Sequence, residues 1–149
     1  MKVYFSLGTN LGDKEQNLRL AVQKIEERIG KVVSLSAFYA TAPWGFSSEN
    51  MFLNAALCVD TSLPPLSVLH LTQDIEREIG RTRKSVNGVY NDRLIDIDLL
   101  LYEDRVLDTS ELKLPHPLMQ ERRFVMEPLA EIAPELMHPV LKKKMRELL

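Results

Sequence analysis

The chain has 149 residues, 45% of them hydrophobic and 27% charged, with a net charge of −2. This is the balance of one globular domain, here residues 1–149, with enough length for a proper core, and it excludes a general affinity for polyanions, so any anion site must be local. A single cysteine, Cys58, excludes a disulfide framework and a multi-thiolate metal site, and no apolar run is long enough to cross a membrane.

Met1-Lys2 leads directly into a strand pattern over Lys2–Gly8, without a signal-peptide pattern, so the expected compartment is the cytoplasm. Gly8-Thr9-Asn10-Leu11-Gly12-Asp13 reads as a tight turn. It lacks the spacing of a phosphate loop, so its expected role is structural. Asp13 with Gln16 three residues on suits a helix start. Leu18, Val22, Ile25 and Ile29 then mark a buried helical stripe, closed by Gly30 as C-cap.

Val32–Tyr39 reads as a second strand. The Thr41-Ala42-Pro43-Trp44-Gly45-Phe46 loop follows and stays polar through Asn50. Its aromatics suit either cover for a flat ligand or packing on the core. Phe52–Thr61 is the third strand, with Cys58 as a small core residue. Phe52, Asn54 and Ala56 share one face, and Leu53, Ala55 and Leu57 the other. An aromatic beside an amide suits a heterocycle, one stacking and the other reading the edge.

Pro64-Pro65 opens a helix that should run to Ile79 and end at Gly80. Val68, Thr72, Ile75 and Ile79 form its inner stripe. Gln73 and Glu76 lie together on an adjacent face, where a solvated role is the plainer reading. His70 is read as a surface or core residue. Residues 81–93 carry four positive charges, Arg81, Arg83, Lys84 and Arg93. Arginine forks match phosphate oxygens.

Arg93-Leu94-Ile95-Asp96-Ile97-Asp98-Leu99-Leu100-Leu101-Tyr102 reads as the fourth long strand. Alternation places Asp96 and Asp98 on one face and Ile95, Ile97 and Leu99 on the other. Two carboxylates side by side on a mostly buried strand raise each other's pKa and are both disfavoured by desolvation. A hard divalent cation relieves both effects. Magnesium fits best, because few carboxylates plus substrate phosphates suffice for it. The bland alternative is an edge strand with two solvated aspartates. A loop of arginines beside such a site is the composition of phosphoryl transfer.

Arg105–Leu107 is expected to pair back as a hairpin strand. Leu114-Pro115-His116-Pro117-Leu118 is a rigid turn that fixes His116, the best ligand candidate of the three histidines. Gln120–Val125 adds positive charge and an aromatic. Glu127–Pro134 should be a short helix, and Leu141–Leu149 a basic amphipathic last helix. The order gives an α+β, ferredoxin-like β-α-β-β-α-β core: an antiparallel sheet with helices packed on it, plus a C-terminal hairpin and short helices.

Along nearly its whole length the chain resembles the 6-hydroxymethyl-7,8-dihydropterin pyrophosphokinases of folate biosynthesis. The resemblance runs through Ser6–Asp13, Tyr39–Pro43, Phe52–Ala56, Gly80–Arg83 and Arg93–Asp98. It continues through Pro115-His116, Arg122-Arg123-Phe124 and Pro128–Pro134. The resemblance implies transfer of pyrophosphate from ATP to the pterin hydroxymethyl group, with release of AMP. It implies that Asp96 and Asp98 hold two magnesium ions. Arg81, Arg83, Arg93, His116 and Arg122 would meet the phosphates, with Gln73 and Glu76 at the nucleotide's other end. Phe52 and Phe124 would sandwich the pterin, and Asn54, Thr41 and backbone near Pro43 and Trp44 would read its edge. The chain departs from the family pattern at Tyr90-Asn91-Asp92, often Trp-Gly-Pro, at Phe52, often tyrosine, and at Ala42, often proline. The expected partners are ATP and 6-hydroxymethyl-7,8-dihydropterin alone, with no nucleic acid and no membrane, acting on a monomer. Two other classes suit a ferredoxin-like domain: an RNA-binding module, which the negative charge and the absence of an RNP-type aromatic pair oppose, and a nucleotide-binding regulatory domain, which would bind ATP without releasing AMP.

Overall fold

The computed structural model describes residues 1–41, 51–81 and 94–149, Arg81 by its backbone only. Its main sheet holds β1 (Lys2–Thr9), β2 (Lys31–Leu35), β4 (Phe52–Asp60) and β5 (Asp96–Tyr102) in the order β2-β4-β1-β5, with β3 (Tyr39–Thr41) also pairing to β4. All pairings are antiparallel. Helices α1 (Lys14–Arg28) and α2 (Pro65–Arg81) lie between the strands in sequence, which gives the expected ferredoxin-like order.

Both central strands are buried on both faces. Val3, Phe5 and Leu7 of β1 and Ala55, Leu57 and Val59 of β4 join one core with Leu18 and Ile25 of α1 and Val68, Ile75 and Ile79 of α2. Tyr4, Ala56 and Cys58, on the opposite face, join Val125, Met126 and Leu129 of α3 (Arg123–Ile132). The sheet therefore carries α1 and α2 on one side and α3 on the other. A bulge places Leu99 opposite Phe5 and Leu101 opposite Tyr4, so Leu100 and Leu101 both face α3 and Tyr102 returns to the first core.

The start of α1 is as read: the Asp13 carboxylate accepts the Gln16 N–H at 3.1 Å. The turn before it is structural, since Asn17 Nδ2 donates to Leu11 O and Thr9 Oγ1 from inside the protein. Leu18, Ile25 and Ile29 of the expected stripe are buried, Val22 packs against the same core half-buried, and the fully buried Ala21 joins them. Gly30 follows the C-cap Ile29 for a reason other than capping. A Cβ there would stand 2.1 Å from the Asp60 carbonyl oxygen, so only glycine lets the helix exit pass β4. Gly80 lies inside α2 and ends nothing. The inner stripe of α2 is as expected, and Glu78 joins α2 to Lys24 and Arg28 of α1, which holds its carboxyl down at about 2.

Four further elements differ from the sequence expectation. Val32–Tyr39 is two strands, because Ser36 turns its hydroxyl to the Ala56 N–H at the break. Arg105–Leu107 does not pair back on β5; instead β6 (Leu107–Asp108) pairs with β7 (Lys113–Leu114). α3 begins four residues before the expected Glu127, drawn on by burial of Val125 and Met126, and keeps Pro128 inside it at the loss of one helical hydrogen bond. Leu141–Leu149 holds a short 3-10 turn, Met145–Glu147, and no longer helix. Buried Met145 anchors it, and its backbone bonds to Leu136 and Pro134 replace helical ones. Among the described residues no helix is long and apolar enough to cross a membrane.

Gly30→Ala is expected to lower stability by about 1–3 kcal/mol or more, read as a shift of the urea midpoint. A second expectation concerns His138, which is buried with Nδ1 accepting the N–H groups of Val140 and Leu141. Burial pushes its pKa below the ordinary value. The folded state then binds fewer protons than the unfolded one, so this contribution is intact above about pH 6.5 and is lost as pH falls below it. Urea titrations from pH 7.5 to 5 should show that loss, and His138→Asn, whose side-chain oxygen can accept the same bonds, should show a smaller one.

Candidate active site

β5 is an edge strand, and Ile97 and Leu99 of it are buried in the α1/α2 core. Alternation sends Asp96 and Asp98 to the opposite face, as the sequence predicts, and both are half-buried there. Register fixes what stands beside them. Gly8 of β1 faces Asp96 on one side and Asn54 of β4 on the other, and Asn54 faces Tyr39 of β3. The row across the sheet is therefore Tyr39, Asn54, Gly8, Asp96. With two strand spacings between them, the Asn54 and Asp96 backbones stand ~10 Å apart. Gly8 places no side chain in that interval. A Cβ on it would come within 3.1 Å of Asn54 Oδ1.

The amide end of this row is oriented by the fold. Asn54 is buried, and its Nδ2 donates to Thr41 Oγ1 at 2.8 Å. The donor bond fixes which way the amide points, with Oδ1 toward Gly8. Phe52 stands opposite Thr41 on the same face. Phe124, at the start of α3, is half-buried against the core on that side, and the Arg122 guanidinium lies 5.9 Å from its ring centre.

A cavity of about 340 Å³ opens beyond the outer edge of β5, on its other flank. Gln73 and Glu76 of α2, Asp98, the Ser110–Lys113 turn between β6 and β7, and His116 line it. Glu76 Oε2 also accepts the Ile97 N–H at 2.9 Å. This satisfies the unpaired edge of β5 midway between the two aspartates. His116 donates its backbone N–H to Leu100 O, and its Nδ1 accepts the Leu118 N–H. The ring is thereby held with Nε2 as the remaining polar atom. Burial lowers its pKa, against the pull of Asp98 and with help from Arg122, so the neutral ring sits within electrostatic reach of both.

The structure thus brings Asp96, Asp98, Asn54, Thr41, Phe52, Gln73, Glu76, His116, Arg122 and Phe124 around β5 and its neighbours. Pro43, Trp44, Arg83, Tyr90 and Arg93 lie outside the described residues, as does the Arg81 side chain. His70 is exposed and pairs with Glu111. Sequence reasoning reaches neither Gly8 as the gap in the row nor the Ser110–Lys113 lining. A glycine inside a strand is itself a signal of close approach, but only the register says to what.

Among the described residues no three His, Cys, Asp or Glu side chains gather as a metal cage. Two carboxylates on one strand face beside a polar cavity fit a hard cation that completes its shell with substrate oxygens and water, and do not fit a closed protein site.

Residues 4–134 match the family model for 7,8-dihydro-6-hydroxymethylpterin-pyrophosphokinase (HPPK). The chain belongs to this family. A Porphyromonas gingivalis protein named 2-amino-4-hydroxy-6-hydroxymethyldihydropteridine pyrophosphokinase is 51% identical over 138 residues, 92% of this chain and 93% of its own. Proteins of the same name from Aquifex aeolicus and Bacillus subtilis are 39% and 42% identical, over 97% and 89% of this chain and 88% and 78% of their own. A Plasmodium falciparum HPPK-DHPS crystal structure matches the fold with a TM-score of 0.80 at 17% identity, over 99% of this chain. This chain spans 42% of that one.

Gly8→Ala is expected to leave an HPPK of this sequence folded while crowding Asn54. If a ligand binds against Asn54, its KM should rise about tenfold, one hydrogen bond's worth, and the KM of a ligand bound in the cavity should not change. Steady-state kinetics with each substrate varied checks this.

Proposed function

We propose that the site binds ATP in the cavity beyond β5 and the pterin over the Asn54–Gly8–Asp96 row, with Asp96 and Asp98 where the two meet. The family's reaction is transfer of pyrophosphate to the hydroxymethyl group of hydroxymethyldihydropterin in folate synthesis. The observation that carries the proposed arrangement is that Asp98 lines the cavity while Asp96 ends the row that Asn54 begins. A ligand in either space ends beside the same pair of carboxylates.

In this reading the pterin ring lies between Phe52 and Phe124. Its edge is read by Asn54, with Thr41 and backbone near Pro43 and Trp44. Gln73 and Glu76 bind the nucleoside end of ATP. His116 donates from Nε2 to a phosphate oxygen, and Arg81, Arg83, Arg93 and Arg122 pair with the rest. The pterin hydroxyl oxygen bonds to the β-phosphorus of ATP. The bond from that phosphorus to the oxygen bridging to the α-phosphorus breaks, AMP leaves with that oxygen, and the hydroxyl proton is lost. The protein supplies no nucleophile: Cys58 is buried, and its thiol is pushed up by that burial. Its work is positioning and charge neutralisation. Two magnesium ions held by Asp96 and Asp98 would supply charge neutralisation at the phosphates and a lowered pKa for the hydroxyl. The proposed acting unit is a monomer of one domain, residues 1–149, in the cytoplasm.

The purified chain with ATP, magnesium and 6-hydroxymethyl-7,8-dihydropterin should form AMP only when both pterin and magnesium are present. ADP as the product, or AMP without pterin, would overturn the reading. Asp98→Ala should reduce turnover by about 10²-fold or more with an unchanged circular dichroism spectrum, and near-normal turnover would remove the metal assignment.

A further inference from the structure

α3 carries a carboxylate that no step above uses. Glu131 lies seven residues after Phe124, two turns on and so on the same face of the helix. Its Oε1 accepts the Tyr39 hydroxyl at 2.5 Å, and its two oxygens share the Ala37 N–H at 3.2 and 3.1 Å. The hydrogen bond to Glu131, with burial adding, pushes the Tyr39 phenol up to about 12, so it remains a donor at neutral pH.

These bonds hold the entry to β3. That strand has three residues and, among the described residues, pairs only with β4, so its own ladder fixes it weakly. What it carries is demanding. Thr41 stands opposite Phe52 and accepts the Asn54 amide, while Tyr39 stands opposite Asn54 itself. A displacement of β3 moves the acceptor that orients Asn54. The same carboxylate ties β3 to α3, the helix that carries Phe124 in its first turn, so it sets one side of the ring-binding space relative to the other.

We propose that Glu131, through Tyr39 and Ala37, is a positioning residue for the pterin end of the site, an inference that rests on the function proposed above. It touches no substrate. Its effect is on the Thr41–Asn54 pair and on the spacing from β3 to α3, and it leaves the nucleotide cavity beyond β5 alone.

Steady-state kinetics of AMP formation by the full chain test this, with pterin and ATP varied separately. Glu131→Ala should raise the pterin KM about tenfold, the effect of misplacing one hydrogen-bonding group, with the ATP KM within about twofold of wild type. Glu131→Gln should restore the pterin KM, because its amide oxygen can accept the Ala37 N–H and its amide nitrogen can donate to the Tyr39 oxygen. Tyr39→Phe, which keeps the aromatic ring, should fall between the two and serves if Glu131→Ala does not fold. Equal rises in both KM values, no rise in either, or no recovery in Glu131→Gln would overturn the inference while wild-type turnover leaves the functional reading standing. A wild-type chain that forms no pterin-dependent AMP would overturn that reading and this inference with it.

Discussion

The site depends on the register of β5 against β1. Ile97 and Leu99 are committed to the α1/α2 core, so Asp96 and Asp98 have no choice of face. A slip of one residue would drive both carboxylates into that core and expose the leucine and isoleucine instead. Burying two uncompensated carboxylates costs far more than any local gain could return. The apolar side chains of β5 are thus what aim its charged ones. Glu76 reinforces the register from outside by taking the Ile97 N–H that the sheet edge leaves over.

From that strand the site spreads in two directions by different means. Across the sheet it is built by pairing: Gly8 separates Asp96 from Asn54, and Asn54 is oriented by Thr41 two strands away from Gly8. Beyond the sheet edge it is built by packing. There α2, the β6–β7 turn and the His116 segment close around a cavity that Asp98 enters from the β5 side. The two spaces meet at the carboxylate pair, with Asp96 at the end of the row and Asp98 in the lining of the cavity. This suits a transfer between two ligands that must be kept apart except at their reacting ends.

α3 and the segments around it act on the sheet's other face as a brace. The helix buries Val125, Met126 and Leu129 against Tyr4, Ala56 and Cys58. It presents Phe124 at one end and Glu131 near the other, with Glu131 reaching β3. One short helix therefore carries Phe124, the residues that pack on the sheet and the carboxylate that reaches β3.

Much of this was legible in the sequence. Strand alternation gave the face of Asp96 and Asp98. Helical spacing gave Val68, Thr72, Ile75 and Ile79, and the offset of Asp13 from Gln16 gave a cap. The joint order of the motifs gave the family. These signals are set by contacts within a few residues, where geometry is fixed by the chain itself. Tertiary structure alone decided that Gly30 exists to let Asp60 pass and that Gly8 spaces Asn54 from Asp96. It alone decided that β6 pairs with β7 instead of β5, that α3 starts at Arg123, and that Glu131 holds Tyr39. Each of these joins residues that only the register of the sheet, or the docking of a helix on it, brings together. A local pattern carries no record of which distant backbone it will meet.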